Sequence, residues 1–358
     1  MRIHNFNAGP AALPTTVLER AQQELMDYRG SGMSIMEHSH RGKEYDEVHH
    51  AALSLLREVL AVPSTHHVLL LSGGGHTQFA LVPMHFLTAG KSADYVITGG
   101  WSEKAFDEAK SVGSVREAAN TKPFTRIPAA SELSFDAKAA YVHTTSNNTL
   151  EGTQWQAFPD TGAVPHICDM SSDFLWRPTP VDRFALIYAA AQKNVGPSGL
   201  TVVVVRKDFI AGAGAHLPPS LRYETYAKAE SLYNTPPTFA IYMMRLVLEW
   251  TKQHGGLAGM EARNEKKAAA LYRAIDAAPH FYRCPVEPAA RSRMNVVFRL
   301  PSEALEERFL SEAKAAGLVG MKGHRSVGGM RVSLYNPVEP ASVDVLVAFM
   351  DAFAKKNA

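Results

Sequence analysis

Three features that could take part in catalysis follow one another along the first two thirds of this 358-residue chain. The first is a glycine-rich turn, Ser72-Gly73-Gly74-Gly75-His76-Thr77, between an apolar run and a helical run. The second is Asp169, directly after another apolar run, and the third is Lys193, 24 positions further on. Backbone N–H groups in such a turn, together with the start of the next helix, attract phosphate. Taken alone, the turn is equally consistent with a tight turn that binds nothing.

An aspartate and a lysine that follow successive strands suit one kind of cofactor chemistry. Open α/β sheets bind ligands outside the carboxyl ends of their strands. A lysine there can form a Schiff base with pyridoxal phosphate, while an aspartate keeps the ring nitrogen protonated. The protonated ring withdraws electrons from the substrate α-carbon, so that a proton can leave it. The turn, Asp169 and Lys193 therefore predict a pyridoxal-phosphate site.

The central part of the sequence alternates short apolar runs with amphipathic ones such as residues 103–112. Continuously apolar runs suit strands that are covered on both faces of a sheet. Their alternation with helical runs predicts an α/β fold with a mainly parallel sheet. The strands are predicted at residues 68–71, 95–98, 140–143, 166–168, 185–188 and 201–205.

Helical runs lie on both sides of this sheet region. Residues 43–60 have helical apolar spacing, and Thr15 is predicted to cap a helix that ends at Gly30. After Gly255 the chain becomes rich in Ala, Glu, Lys and Arg. We predict a large domain over 15–256 and a small one over 257–358 together with 1–14. The predicted elements of the small domain are helices at 258–278, 302–316 and 340–354 and strands at 295–298 and 331–334.

Composition limits the classes of partner. The formal charge is only +2, which gives no overall attraction to nucleic acid or to an anionic membrane. The two cysteines, Cys168 and Cys284, are far apart and form no metal or disulfide pattern. We find no signal-peptide pattern at the N-terminus and no apolar run of about 20 residues. The sequence therefore predicts a cytoplasmic protein without a metal site.

Ordered motifs along nearly the whole chain resemble those of the phosphoserine aminotransferases, class V members of the fold-type I pyridoxal-phosphate enzymes. The resemblance implies a large domain with a seven-stranded, mainly parallel sheet and a smaller α/β C-terminal domain. The matching segments are NFNAGPA at 5–11, GMSIME at 32–37, SHR at 39–41, GGG at 73–75, DMSSD at 169–173, QKNVGP at 192–197, YNTPPT at 233–238, RSRMN at 291–295 and GHRSVGGMR at 323–331.

The resemblance also implies roles around pyridoxal 5′-phosphate. Lys193 would form the Schiff base and carry the proton between the substrate α-carbon and the cofactor, and Asp169 would pair with the ring nitrogen. Trp101 would stack on the ring, although a tryptophan there could equally be a core residue. A homodimer with shared active sites would follow, because two of the phosphate contacts would come from a partner subunit. The other implied contacts are Gly75, His76, Thr149 and Gln192 within the chain, and Asn234 and Thr235 from the partner.

The implied reaction moves an amino group between L-glutamate and 3-phosphohydroxypyruvate, giving O-phosphoserine and 2-oxoglutarate. It belongs to serine biosynthesis, and a four-carbon phosphorylated substrate on the route to pyridoxine stays open. Arginine suits carboxylate and phosphate, so Arg331 is the candidate for the α-carboxylate. His76 stands where some relatives have arginine, which leaves the substrate preference in doubt. The candidates for the distal anion are His40, Arg41, His324 and Arg325.

Two other functions stay open at this stage. Another class V enzyme, such as a cysteine desulfurase, would need a cysteine on a mobile loop. Cys168 lies in a predicted strand and Cys284 precedes Pro285, so neither suits that role. A protein that binds the cofactor without catalysis would not need both Lys193 and Asp169. The sequence therefore favours the aminotransferase.

Overall fold

The computed structural model describes residues 2–357. Within that range, thirteen strands form one large sheet and three two-stranded pairs. The strands are β1 (His4–Asn5), β2 (His66–Ser72), β3 (Ser92–Ile97), β4 (Ser114–Asn120), β5 (Val142–Thr145), β6 (Asn147–Asn148), β7 (Thr153–Gln154), β8 (His166–Asp169), β9 (Leu186–Ala190), β10 (Leu200–Arg206), β11 (Asn295–Phe298), β12 (Leu318–Val319) and β13 (Met330–Ser333).

Ten α-helices occur in the same described range, with short 3₁₀ helices at Ala130–Glu132, Val181–Arg183, Pro219–Leu221 and Pro288–Ala290. The α-helices are α1 (Thr15–Gln23), α2 (Lys43–Val59), α3 (Gly75–Phe86), α4 (Gly100–Lys110), α5 (Lys207–Ile210), α6 (Tyr223–Lys228), α7 (Thr238–Gln253), α8 (Gly256–Asp276), α9 (Glu303–Ala315) and α10 (Pro340–Asn357).

The large sheet has seven strands in the order β2-β10-β9-β8-β5-β3-β4. Strands β9, β8, β5, β3 and β4 pair in parallel, whereas β10 is antiparallel to both of its neighbours. Each of the six strands predicted from the sequence lies within or overlaps a strand of this sheet. The predicted α/β fold with a seven-stranded, mainly parallel sheet is confirmed.

Both faces of the sheet are covered, which explains the unbroken apolar runs. Along β10, Val202 and Val204 belong to the hydrophobic cluster that includes α2 and α7. Val203 and Val205 point the other way, into the cluster that includes α3 and α4. Side chains alternate between faces along a strand, so a strand buried on both faces is apolar at every position.

Strand β4 was not predicted, because its sequence Ser-Val-Arg-Glu-Ala-Ala-Asn is largely polar. It lies at the edge of the sheet and pairs only with β3. Edge strands tolerate charged side chains, which also discourage pairing with another chain. The apolar pattern used for the other strands therefore could not identify it.

The first helix is shorter than the sequence predicted. It ends at Gln23 rather than at Gly30, and Thr15 is its first residue and makes no side-chain cap bond. In the segment that follows, the Asp27 carboxylate accepts a hydrogen bond from the Gly32 backbone at 2.7 Å. An aspartate side chain can accept hydrogen bonds from nearby backbone N–H groups, which then do not form helical bonds. The helix therefore ends before Asp27.

The C-terminal third forms a separate hydrophobic cluster with the N-terminal segment. Phe6 is fully buried among residues of α8, α9, α10 and strand β11. Strand β1 pairs in parallel with β12, with His4 opposite Leu318. Residues 1 and 358 of the predicted small domain lie outside the described residues. The cluster shows why residues near the N-terminus group with the C-terminal part of the chain.

Helix α8 holds the C-terminal segment through a buried lysine. Lys267 is 1% exposed, and its amine donates to the carbonyls of Leu334 at 2.7 Å, Tyr335 at 2.8 Å and Val338 at 3.1 Å. Burial lowers the pKa of this amine. An ammonium group has three N–H donors, so its hydrogen-bonding capacity is fully used here.

No helix within residues 2–357 is both long enough and apolar enough to cross a lipid bilayer.

We predict that Lys267→Met lowers the free energy of unfolding by about 3 kcal/mol, because three buried carbonyls lose their donor. Urea denaturation followed by circular dichroism would measure it. The matched control is Lys266→Met at the next position, where the side chain is exposed. Equal stability of the two variants would contradict the structural role of Lys267.

Candidate active site

The predicted aspartate and lysine meet at the carboxyl ends of neighbouring strands. Asp169 is the last residue of β8, and Lys193 follows the end of β9 by three residues. The two strands are parallel and adjacent, with Asp169 opposite Tyr188. Both side chains line one cavity of about 260 Å³. Asp169 and Lys193 are 24 positions apart, and they come together because the carboxyl ends of β8 and β9 lie side by side.

Burial governs the charges of this pair. Asp169 is only 6% exposed, and one of its carboxylate oxygens accepts a hydrogen bond from the Ser171 backbone at 2.8 Å. Burial raises the pKa of Asp169, against the opposing effect of the Lys193 charge. Burial also lowers the pKa of Lys193, again opposed by its partner. The Lys193 amine is therefore more readily deprotonated than an exposed lysine.

The glycine-rich turn forms another wall of the cavity, as predicted. Helix α3 begins at Gly75, and Gly73 has φ +118°, which favours glycine. A Cβ on Gly75 would lie 3.4 Å from Ser171 Oγ, a tight contact. The first N–H groups of a helix have no partner within the helix. Here they lie beside a cavity, where they can bind an anion.

Ser171 connects the three predicted features. Its backbone N–H binds Asp169, and its hydroxyl accepts a hydrogen bond from the Ala190 backbone at 3.1 Å, at the end of β9. The same hydroxyl lies against Gly75. One serine therefore fixes the relative positions of the strand that carries the aspartate, the strand that precedes the lysine, and the glycine-rich turn.

Trp101 lies in the cavity wall with its indole plane fixed. Its Nε1 donates to Thr149 Oγ1 at 2.8 Å. Its ring meets His76 edge-on, with ring centroids 5.5 Å apart, and Lys193 Nζ lies 5.8 Å from its centroid. A flat aromatic ligand in the cavity would find a fixed indole beside it, as the predicted stacking role requires.

Glu151, which the sequence analysis missed, supports the start of the helix that carries Trp101. Its carboxylate accepts a hydrogen bond from the Gly100 backbone at 2.9 Å. A Cβ on Gly99 would approach Glu151 Oε2 to 2.7 Å, so this position must stay small. Burial raises the pKa of Glu151. The motif Gly99-Gly100-Trp101 was the available signal, but only the tertiary structure shows which acid it faces.

Cations line the cavity or lie next to it. Arg331 lines it, and its buried Nε has no hydrogen-bond partner among the described residues. His324 also lines it, and its pKa is lowered by burial and by the charges of Arg331, Lys104 and Arg325. Lys104, a residue not predicted, lies with Nζ 4.3 Å from the centroid of Trp101. Its position three residues after Trp101, on the same helix face, was the signal.

Five of the predicted cofactor contacts line this cavity: Gly75, His76, Trp101, Thr149 and Gln192. Other predicted residues do not line it within one chain. Arg325 is exposed on the loop next to His324 but is not among the lining residues. The remaining predicted residues also lie outside the lining, and all are exposed except the partly buried His40: His40, Arg41, Asn234 and Thr235.

The cavity suits the pyridoxal phosphate that Lys193 and Asp169 predict. Its volume is near the lower end of the ~300–1,000 Å³ usual for ligand sites. Thr145 Oγ1 lines it, is buried and has no partner among the described residues. Gly9 lies beside the Lys193 side chain and has φ +139°, a backbone region that favours glycine. Unpaired polar groups, helix N–H groups, an acid and an amine therefore face one space.

Comparison with known proteins agrees with this geometry. The family model described as Aminotransferase class-V matches residues 3–346. The chain belongs to the class-V aminotransferase family. This class-V aminotransferase is 53% identical over 358 residues to the phosphoserine aminotransferase of Lysinibacillus sphaericus, covering 99% of each chain.

Solved structures give the same result for the fold of this class-V aminotransferase. The phosphoserine aminotransferase from Bacillus circulans subsp. alkalophilus matches with a TM-score of 0.98 at 52% identity, over 100% of this chain and 99% of that one. The PLP-bound phosphoserine aminotransferase from Trichomonas vaginalis matches with a TM-score of 0.94 at 40% identity, over 98% of this chain and 100% of that one.

A second buried acid lies behind the site. Asp173 is 5% exposed, and burial raises its pKa to about 6. Its carboxyl contacts the Ser146 hydroxyl and accepts from Gln154 Nε2 at 3.0 Å. Ser146 Oγ can instead donate to the Asp169 carbonyl at 3.0 Å, which frees it to accept from a protonated Asp173. Burial thus makes Asp173 harder to ionise than an exposed aspartate, although the hydrogen bonds with Ser146 and Gln154 oppose this effect.

We predict that Asp173→Asn makes this class-V aminotransferase more stable relative to wild type as the pH rises from 4 to 7. An acid whose folded pKa lies above its unfolded value stabilises the fold below the unfolded pKa, near 4. That stability is lost as the pH rises through about 6. A shift of about two units corresponds to roughly 3 kcal/mol at most.

Urea unfolding at pH 4, 5, 6 and 7 would measure this difference. Asp182→Asn is the control, because Asp182 is exposed. A stability difference between Asp173→Asn and wild type that stays constant over this pH range would contradict the raised pKa of Asp173.

Proposed function

We propose that this chain is a phosphoserine transaminase that uses pyridoxal 5′-phosphate. It would transfer an amino group reversibly between L-glutamate and 3-phosphohydroxypyruvate, giving O-phospho-L-serine and 2-oxoglutarate, in serine biosynthesis. The observation that carries the proposal is that Lys193, Asp169 and Arg331 line the same cavity. The full-length similarity to phosphoserine aminotransferases supports this substrate class.

The cofactor would be held on three sides. The N–H groups of the turn at Gly75 and His76, with Gln192, would bind its phosphate. Trp101, fixed by Thr149, would lie against its ring. Asp169 would pair with its ring nitrogen, and its burial makes that pairing strong. When bound, the cofactor supplies an aldehyde for the lysine and a ring that withdraws electrons from the substrate α-carbon.

Lys193 would act as the base at the substrate α-carbon. A general base must be unprotonated at the working pH. Burial lowers the pKa of the Lys193 amine, so that more of it is neutral than in an exposed lysine. The backbone around it is fixed, because Gln192 O accepts a hydrogen bond from the Ala11 backbone at 2.9 Å. The fixed backbone and the lowered pKa of the amine both support this role in proton transfer.

Arg331 would bind the substrate α-carboxylate. Its Nη1 donates to the Thr149 carbonyl at 3.4 Å, and the unpaired Nε leaves a donor for the substrate. His324, with Arg325 on the same loop, would bind the distal phosphate or carboxylate. His40 and Arg41 stay candidates for the same anion. A four-carbon phosphorylated substrate on the route to pyridoxine fits the same assignment, since its two anionic ends are alike.

We further propose a homodimer with shared active sites. Asn234 and Thr235 would bind the cofactor phosphate of the partner subunit, because neither lines the cavity of its own chain. Exposed apolar side chains flank these residues and the segment that contains His40, as an interface would require. They are Met26, which is 81% exposed, Met33 at 39%, Met36 at 49% and Tyr233 at 44%.

The domain division and the cellular compartment are also proposals. Phe6 and buried residues between 268 and 353 form a hydrophobic cluster of their own. This cluster supports a small domain of 257–358 with 1–14 beside a large domain of 15–256. Cys168 is buried and Cys284 partly buried, and neither is in a disulfide. Free thiols of this kind fit the cytoplasm, where disulfides are rare.

We predict that the purified protein carries the visible absorption band of bound pyridoxal phosphate. L-glutamate should remove the band as the amino group is transferred, and 3-phosphohydroxypyruvate should restore it. Lys193→Ala should remove the covalent attachment without unfolding the protein. Absorption spectroscopy with mass spectrometry of the borohydride-reduced protein would measure both.

The matched control is Lys91→Ala, an exposed position outside the cavity lining. A folded, cofactor-loaded protein whose band glutamate leaves unchanged would contradict the transaminase. A band that responds to glutamate but not to 3-phosphohydroxypyruvate would contradict the substrate alone.

We predict that two inactive variants restore one active site when mixed as subunits. Lys193→Ala removes the lysine, and Asn234→Ala with Thr235→Ala removes the groups proposed to come from the partner. In a mixed dimer one site keeps both sets, so activity should return to about half that of wild type. Co-expression with two purification tags would give the mixed dimer. Activity no higher than the mean of the two parent variants would contradict shared sites.

A further inference from the structure

The loop of residues 322–330 carries His324 and Arg325 away from strand β13. Its neck is closed by a bridge between Lys322 and Met330 and by a hydrogen bond from Gly323 N to Gly329 O at 2.7 Å. At its tip, the backbone N–H groups of Val327 and Gly328 donate to the His324 carbonyl. The turn at the tip is therefore well formed internally, but these bonds do not fix its orientation relative to the cavity.

Arg299 supplies a link from this tip to the rest of the chain. Its Nη1 donates to the Val327 carbonyl at 3.1 Å. Its Nε forms an ion pair with Glu306 Oε1 of α9 at 2.7 Å. The Arg299 backbone is itself fixed, since it exchanges two hydrogen bonds with Arg283 at 2.9 and 3.0 Å. The guanidinium thus joins the tip of the loop to helix α9, from a backbone position directly after β11.

The loop is shaped to receive this side chain. Gly328 and Gly329 have φ +73° and +69°, a backbone region that favours glycine. A Cβ on Gly329 would come within 2.4 Å of Arg299 Cδ, and one on Gly328 within 3.2 Å of Arg299 Nη1. The pair of glycines therefore leaves the space in which the arginine lies, which argues against an incidental surface contact.

We propose that Arg299 is a positioning residue that sets specificity for the distal phosphate of the substrate. It would act through the orientation of the loop that carries His324 and Arg325, and it does not itself line the cavity. This inference rests on the proposed function. It adds Arg299 to the residues proposed to determine anion binding. It also explains why two glycines stand at positions 328 and 329.

The effect should be larger for a phosphate than for a carboxylate. A phosphate dianion has more charge and more acceptor oxygens than a carboxylate, so it depends more on several correctly placed donors. A displacement of about 1 Å in a positioned group costs up to a hundredfold in rate. Loosening the loop should therefore weaken phosphoserine more than glutamate.

Steady-state kinetics of the holoenzyme with O-phosphoserine and with L-glutamate would test this proposal. For Arg299→Ala we expect the KM for phosphoserine to rise about tenfold, as for the loss of one charged hydrogen bond. The KM for glutamate should rise less, and kcat and cofactor loading should stay within about twofold of wild type. Arg299→Lys should lie between, because an ammonium lacks the planar fork that reaches two acceptors.

The matched control is Arg308→Ala, which removes an exposed arginine paired only with Glu312 within α9. Arg325→Ala removes a proposed phosphate ligand directly and should shift the same KM. In the double variant with Arg299→Ala the two effects should fall short of additive, since both act through one loop.

Three results would overturn the inference. One is a phosphoserine KM for Arg299→Ala equal to that of Arg308→Ala. Another is that both Arg299→Ala and Arg299→Lys lose cofactor, or that both raise the two KM values equally. Either outcome would show that Arg299 has a general structural role. If wild type itself does not turn over phosphoserine, the proposed function fails, and this is recognised before any variant is compared.

Discussion

The site depends on keeping an amine and a carboxylate of opposite charge together in a buried cavity. Isolated charges are costly to bury, and their mutual attraction compensates only when their geometry is well fixed. Asp169 and Lys193 line one cavity because they lie at the carboxyl ends of two adjacent parallel strands, β8 and β9. The carboxyl ends of neighbouring strands hold side chains from distant parts of a chain at fixed positions. The rest of the site is arranged around this pair.

The groups around the pair are linked more closely than their separation in sequence suggests. Ser171 binds Asp169, accepts from Ala190 and limits the space at Gly75. Glu151 supports the start of the helix that carries Trp101. These hydrogen bonds connect parts of the cavity wall that are distant in sequence.

The cavity also joins two parts of the chain that have separate hydrophobic clusters. Asn147 of β6 lines the cavity and donates to Ser172 and to Asn295 of β11, each at 2.8 Å. The N-terminal segment makes a second connection, since the Tyr335 hydroxyl donates to the Ala8 carbonyl at 2.8 Å. Arg331 and His324 come from the C-terminal part, and Lys193 and Asp169 come from the sheet region, so residues from both parts line the one cavity.

Local sequence patterns were enough to predict the fold class, the strands in the centre of the sheet and the placement of Lys193 and Asp169 at strand ends. These follow from local patterns: apolar runs mark strands that are buried on both faces, and ligand-binding groups follow strand ends. These local patterns failed at two places. Helix α1 ends earlier than predicted, in front of a segment where Asp27 binds the backbone locally. Strand β4 was not recognised because it is polar and lies at the edge of the sheet.

The folded chain was needed to show which residues that are distant in sequence lie together. Asp173 and Arg299 carry no local signature of their surroundings, because charged residues in a sequence are most often exposed. Their roles arise from burial and from partners that are remote along the chain, such as the Val327 carbonyl that Arg299 binds. Spacing in sequence reports which face a residue occupies, whereas the energy of a charge depends on what surrounds it in space.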